Sequence, residues 1–407
     1  MPERTTPPSG VLSRRNLFAG AAVLGAAGAG WGAHEAVDRL SAQPAEHGGL
    51  TEPFHGPHQG GIATAAQANA QFVGMDLRDG ADRSAVSGLL KVWTQDAARL
   101  TRGEPALADT EPELAAIPAR LTVTVGLGPG VFAATNTIDQ QPAWLRPLPA
   151  FSIDRLDEGA WGQTDLLLQV CADDPVAVAH AVRVLVKNVR SLVTVRWSQR
   201  GFQHARRSRP DGTTMRNLMG QVDGTTNPGT DEFDRLVWDD GSRYPWLAGG
   251  TSLVLRRIRM ELDTWEEIDR HGRELTVGRT LDTGAPLTGA EEHDEPDFAA
   301  TDRYGIPVIP PNSHIARARH THEGERFHRR AYNYDDPPEP GQVSNSGLIF
   351  ASYQRDIDTQ FLPVQERLAE VDALNEWTTP IGSAVYAIPP GTGPGQYLGQ
   401  TLLGGRA

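Results

Sequence analysis

Three short stretches of this chain carry residue types that can move protons, hold a metal or meet an anion. Gly220-Gln221-Val222-Asp223-Gly224-Thr225-Thr226-Asn227-Pro228 sets an aspartate between glycines and closes on Asn-Pro, which reads as a tight turn. Asp223 is a candidate acid–base group there, and equally a turn aspartate that bonds its own backbone. Pro307-Val308-Ile309-Pro310-Pro311-Asn312-Ser313-His314-Ile315-Ala316-Arg317 places a histidine just after a proline-stiffened loop, with His320, His322 and His328 close behind. Imidazoles in such number can hold zinc. Their spacing matches no His-x-x-x-His pair on one helix face and no acidic ligand stands out, so a solvated loop is the other reading. Arg329-Arg330-Ala331-Tyr332-Asn333-Tyr334 sets paired arginines beside aromatics. It reads as a surface ion-pair feature or as a preorganised site for anionic oxygens.

The elements that must position these residues can be read from periodicity. Asp82 to Leu100 is an amphipathic helix with Val86, Leu89, Leu90, Trp93, Ala97 and Leu100 on one face. Leu121 to Leu127 and Asp165 to Val170 read as strands. Asp174-Pro175 opens a helix, an aspartate cap followed by proline at the first helical position, and Val178, Val182, Leu185 and Val189 recur along its buried side. The strand Leu192 to Trp197 follows at once. A second stretch of similar order begins near Gly250, with the strand Ser252 to Ile258 and a short helix capped by Asp263 and running to about Arg270. A long irregular region from Leu281 to Asn333 comes next, then the strand Gly347 to Tyr353, a helix from about Pro363 to Leu374, and a loop-rich tail. This mixture predicts an α+β fold with helices packed on antiparallel sheets. A loop region as long as 281–333 inside a compact domain is usually functional or disordered, and this one carries the candidate chemistry.

Composition narrows the function classes. The 407 residues allow one large domain or two of ordinary size, and 39% hydrophobic residues support a sizeable core. A net charge of −13 argues against nucleic acid as the main partner, since phosphate binding needs a basic surface. The single cysteine, Cys171, excludes an intrachain disulfide, a cysteine-built zinc site and an iron–sulfur cluster. Its apolar neighbours make it a buried structural thiol.

Arg14-Arg15 precedes an apolar, alanine- and glycine-rich stretch from Leu17 to about Ala33, too short and too mild for a comfortable membrane span. This reads as a twin-arginine export signal, with signal and linker together over 1–49. The expected location is then extracellular, periplasmic or at the cell envelope, with the twin-arginine machinery as a partner.

Taken together, Gly-x-x-Asp-Gly, the loop histidine before Ile315, and Arg-Arg-x-Tyr-Asn-Tyr, in that order, resemble the dye-decolourising peroxidases of the exported subgroup. Phe54-His55-Gly56-Pro57-His58-Gln59-Gly60-Gly61-Ile62, Gly278-Arg279-Thr280 and Gly347 through Asp356 resemble further segments of that family, and the resemblance runs from about Thr51 to Leu403. Leu281 stands where the subgroup commonly has lysine, and Gly60-Gly61 where Ala-Gly is usual.

The resemblance implies two ferredoxin-like domains of the dimeric α+β barrel superfamily, 50–215 and 216–407, with one heme b per chain in the second. It implies a peroxidase that reduces hydrogen peroxide and oxidises dyes or other organic reductants, and a homo-oligomer is compatible with it. His314 would hold the iron, with its other ring nitrogen donating to a carboxylate. Asp356 is the candidate acceptor, or else a strand-end aspartate in solvent. Asp223 would move the peroxide proton, and Arg329 rather than Arg330 would stabilise the departing oxygen. An aspartate with the usual pKa of about 3.9 is still a base in acid, so activity is expected to peak below neutral pH. Arg279 would pair with a heme propionate, and Leu348 and Phe350, two apart on a strand, would wall the pocket. Trp265, Tyr332, Tyr353 and Trp377 are candidates for passing electrons from bulky reductants, or plain core residues. A deferrochelatase or other heme-handling protein needs the same binding residues, and a non-heme histidine-loop metal protein is the remaining alternative.

Overall fold

The structure, a computed structural model, describes residues 48–338 and 340–404. The arginine pair and nearly all of the expected leader lie outside the described residues.

Among the described residues there are nine strands: β1 Asn69–Leu77, β2 Thr122–Leu127, β3 Leu166–Ala172, β4 Val193–Phe202, β5 Thr251–Met260, β6 His328–Arg329, β7 Tyr332–Asp335, β8 Ser346–Gln354 and β9 Thr378–Ile388. Five helices matter to the argument: α1 Arg83–Leu100, α2 Pro175–Val189, α3 Arg270–Val277, α4 His314–Ala318 and α5 Leu362–Val371. The strands form one sheet in the order β5-β9-β2-β3-β1-β4-β7-β8-β6, with β8 also paired to β5. All pairings between these strands are antiparallel. The fold is α+β, as the patterning predicts, and the sheet draws strands from both halves of the chain.

Local chemistry explains the first half. The Asp82 carboxylate accepts from the Ala85 N–H at 2.9 Å and starts α1, whose six predicted apolar residues are all buried. Asp174 accepts from Val176 N–H at 2.9 Å ahead of Pro175 and starts α2 in the same way. The two helices share a core with β2 and β3, every residue of which is buried, and the Trp93 indole donates to Leu185 O at 3.0 Å to join them. Each large apolar side chain buried there contributes roughly 1.5–3 kcal/mol.

In the second half, β5, β8 and β9 lie side by side, with Ile258 opposite Leu348 and Arg256 opposite Phe350. Residues opposite one another share a face, so Leu348, Phe350, Arg256 and Ile258 share one side of the sheet. Tyr332, Tyr353 and Ile349 pack in a different, fully buried cluster. Several elements differ from the sequence expectations. Asp263 does not cap a helix; it lies within the four-residue turn Leu262–Trp265, and its carboxylate accepts from Val343 N–H and Ser344 Oγ. Asp269 instead caps α3, accepting from Gly272 N–H at 2.7 Å. The supposed loop-rich tail contains the longest strand, β9.

Candidate active site

A cavity of about 570 Å³ opens on the Leu348–Phe350 side of the sheet. That volume falls in the ~300–1,000 Å³ range of small-molecule and cofactor pockets. Asp223, Arg329, His314, Arg279, Leu348 and Phe350 all line it. The cavity thus gathers all but one of the predicted site residues.

Asp223 sits at the end of a small hairpin in which its N–H donates to Met215 O at 2.9 Å and Arg216 bridges Val222. Gly224 follows with φ of +132°, a conformation that only glycine takes up without strain. The Asp223 carboxylate accepts from Arg329 Nη1 at 2.8 Å and, more weakly, from Asn217 Nδ2 at 3.4 Å. Side-chain exposures of 13% for Asp223 and 24% for Arg329 leave the pair open to a small molecule in the cavity. Arg330 faces away: it is buried and donates to Thr64 O and Gln67 Oε1. Alternation along the strand separates the two arginines.

His314 is the first residue of α4, directly after the buried Ser313. Its Nδ1 lies 2.6 Å from Asp372 Oδ2, and among the described residues no protein group bonds its Nε2. Asp372 follows α5, is nearly fully buried, and is fixed by accepting from the Leu374 N–H at 2.9 Å. Burial disfavours the protonated imidazole, but the charge and hydrogen bond of Asp372 outweigh it and raise the His314 pKa; Arg329 and Asp223 act on it in opposite directions. A ring oriented by a carboxylate, with its second nitrogen free, has the form of a metal-ligating histidine.

Asp356 is not that carboxylate. It caps the turn at Ile357–Phe361 through the N–H groups of Asp358 and Thr359, pairs with Arg243 at 3.3 Å, and is absent from the cavity lining. The chain turns away from the cavity at the end of β8, which carries Asp356 with it. Asp372 had no sequence signal beyond lying after a helix. Arg279 reaches the cavity but spends Nη1 on Gly284 O at 2.7 Å and Glu292 O at 2.8 Å, holding the loop at the cavity's edge. Its burial pushes its pKa down, against the nearby charge of Glu292. Leu348 and Phe350 wall the cavity, with Phe350 packed against Phe327 and Phe361.

The remaining histidines disperse. His320 bonds Glu323 at 3.2 Å, His322 lies 3.6 Å from Glu325, and His328 packs against Phe233 and Tyr353. Among the described residues no group of three or more His, Cys, Asp or Glu is placed to hold a metal ion. Of the four aromatics, Trp265, Tyr332 and Tyr353 are buried, while Trp377 is half-buried and meets Trp265 edge-on at 5.4 Å. Cys171 is fully buried, and burial pushes its thiol pKa up.

Family models described as Dyp-type peroxidase, N-terminal, and Dyp-type peroxidase, C-terminal, match residues 59–203 and 214–393. A dye-decolorizing peroxidase of Thermobifida fusca (strain YX) is 38% identical over 428 aligned positions, covering 97% of this chain and 97% of that protein. A deferrochelatase of Yersinia pestis is 35% identical over 373 positions, covering 86% and 85%. The crystal structure of a DyP-type peroxidase from Cellulomonas bogoriensis matches with a TM-score of 0.87 at 56% identity, over 89% of this chain and 100% of that one.

Proposed function

Because the chain belongs to the Dyp-type peroxidase family, we propose a specific division of labour among the residues of its cavity. The protein is a DyP-type heme peroxidase, an oxidoreductase with a peroxide as acceptor. The donor set fits one heme b per chain: a carboxylate-oriented imidazole with a free nitrogen, an apolar wall, and an acid–base pair opening on the same space. When bound, the heme supplies the iron at which the peroxide O–O bond is cleaved.

His314 Nε2 would hold the metal, with Asp372 fixing the ring and raising its basicity. Asp223 accepts a proton from one peroxide oxygen and returns it to the other, so that water leaves. Arg329 donates N–H groups to the departing oxygen and stabilises its negative charge. Leu348 and Phe350 keep bulk water from the reacting oxygens. Arg279 offers its remaining N–H groups to a carboxylate at the cavity edge. The observation that carries this assignment is the convergence of His314–Asp372 and Asp223–Arg329 on one cavity from positions far apart in the chain.

Organic reductants too large for the cavity deliver electrons through Trp377 and Trp265, the latter packed in the cluster with Met219, Met260 and Leu348 that borders the cavity. The orders β1-α1-β2-β3-α2-β4 and β5-α3-β7-β8-α5-β9, with strands arranged β4-β1-β3-β2 and β9-β5-β8-β7, support reading the halves as two ferredoxin-like units. Arg14-Arg15 and the mild apolar stretch after them support export by the twin-arginine route.

The test is an absorption spectrum of the heme-loaded protein before and after hydrogen peroxide. A Soret band that shifts on peroxide addition and is lost or displaced in His314→Ala is the expected result; an unchanged spectrum in that variant would refute the ligand assignment. The deferrochelatase relatives favour a second reading, iron release from heme, and free porphyrin as a product would select it.

A further inference from the structure

We propose that Asn227 is a positioning residue that sets the geometry of Asp223 and Arg329, a role that rests on the acid–base assignment above. Asn227 Nδ2 donates to Arg329 O at 2.7 Å, and the Arg329 N–H donates to Asn227 Oδ1 at 2.9 Å. One side-chain amide thus takes both backbone groups of a residue 102 positions away in the chain. On its own side, the Asn227 N–H donates to Gly224 O at 3.0 Å and closes the turn that directly follows Asp223. Asn227 therefore fastens the loop of the acid–base residue to the strand of the cation.

The need for this fastening lies in β6, which is only two residues long. It pairs with β8 along one edge, where the neighbouring Arg330 N–H donates to Ala351 O at 2.8 Å. The N–H and C=O of Arg329 point to the other edge, where among the described residues no strand lies, and Asn227 supplies the donor and the acceptor that a strand residue would have offered. Asparagine is specific to this task. Aspartate has no donor for the Arg329 carbonyl, and alanine satisfies neither group.

The consequence is catalytic. In the resting pair, Arg329 Nη1 and Asp223 Oδ1 attract each other across 2.8 Å. That attraction weakens each time Asp223 takes up a proton during turnover. A pair held only by its own charges would loosen at the moment Arg329 is needed by the departing oxygen. The Asn227 clamp acts on neutral backbone groups and keeps its strength when Asp223 is protonated. It holds Arg329 in place through the whole proton cycle.

The test measures the second-order rate of the heme-loaded protein with hydrogen peroxide in Asn227→Ala, Asn227→Asp, Asp223→Asn and the double variant Asp223→Asn/Asn227→Ala. Both Asn227 variants are expected to lose about ten- to a hundredfold, the scale of a small misplacement of a reacting group. In the Asp223→Asn background, where the charge attraction on Arg329 is permanently absent, the same Asn227→Ala change is expected to cost at least as large a factor as it does alone. Deuterium uptake across 327–331 is expected to rise in the Asn227 variants while uptake across 312–318 stays unchanged. A cost below about twofold for Asn227→Ala in the Asp223→Asn background, or a wild-type rate in both Asn227 variants, would overturn the proposal. If Asn227→Ala fails to fold, the isosteric Asn227→Asp decides alone. A wild-type rate in Asp223→Asn would instead remove the acid–base assignment on which the proposal rests.

Discussion

His314 Nδ1 lies 2.6 Å from Asp372 Oδ2, joining the start of α4 to the end of α5 across 58 positions of chain. The carboxylate is held by the backbone that follows it, so the imidazole takes its orientation from a rigid helix end. Asp372→Asn keeps the shape and removes the charge. Peroxidase kcat/KM is expected to fall about ten- to a hundredfold, the usual cost of losing such a partner. Asp356→Asn, which can keep the turn cap and removes the charge of the Arg243 pair, is expected to leave kcat/KM within about twofold. Steady-state kinetics on both variants check the contrast.

The adjacent arginines are expected to fail in different ways. Arg329→Ala removes the donor proposed for the departing oxygen and should slow the peroxide step by about a hundred- to a thousandfold with little change in stability. Arg330→Ala removes a buried cation and strands Thr64 O and Gln67 Oε1 without a donor, which should cost about 2–4 kcal/mol of stability. Stopped-flow absorbance and urea unfolding separate the two outcomes.

Asp223→Asn leaves the hydrogen bond from Arg329 possible and takes away the proposed proton acceptor. Peroxide activation is expected to fall about a hundred- to ten-thousandfold, while heme affinity, measured by titration of the Soret band, stays close to that of the unmodified protein.

Acid stability should report on His328. Burial, then the charges of Arg330 and Arg329, hold its pKa down to about 4 from the ordinary 6.5, and Phe233 and Tyr353 pack on its ring. Between these values the unfolded chain binds a proton that the folded one refuses. Stability is therefore complete above pH 6.5 and falls as pH drops toward 4, by about 2–3 kcal/mol at pH 4.5. His328→Phe is expected to lose that part of the pH dependence, which urea midpoints at pH 7 and pH 4.5 would measure.

Trp377 and Trp265 meet at 5.4 Å between the surface and the cluster bordering the cavity. Trp377→Phe should lower turnover of a bulky dye several-fold and leave the peroxide step unchanged. An equal loss in both measurements would show that Trp377 acts only through packing.

What the sequence could disclose depended on whether the signal was local. Asp82 and Asp174 cap their helices through bonds spanning two or three residues, and the apolar faces behind them repeat at helical spacing. The turn around Asp223 was legible for the same reason. β1 and β9 were not, because each carries residues that weaken a strand pattern. In β1, Gly74 leaves room for the Trp197 indole, which a Cβ there would meet at 2.2 Å. In β9, Pro380 and Gly382 flank a register shift opposite Ile258 and Arg257, so the proline sits at a bulge. The site divides the same way. His314, Asp223 and Arg329 lie in recognisable motifs, whereas Asp372 acts through a contact that only the packing of α5 against α4 creates. Asp356 lies beyond the end of β8, where the chain has already turned to cap Ile357–Phe361.

The placement of β9 also bears on how the polypeptide matures. Until Thr378–Ile388 leaves the ribosome, β5 has one flank open and β2 lacks its neighbour at Leu127. The segment just beyond β9 then knots itself to the beginning of the fold, with Gln59 Nε2 on Pro389 O at 2.9 Å and Gly391 N–H on Pro57 O at 3.0 Å. A nascent chain stalled short of Thr378 would carry sticky, half-finished sheet, and its cavity would lack the part of its wall that Thr378 and Pro380 supply. Assembly of this sheet for that reason waits on β9, and chaperone demand should persist until Thr378–Ile388 has emerged.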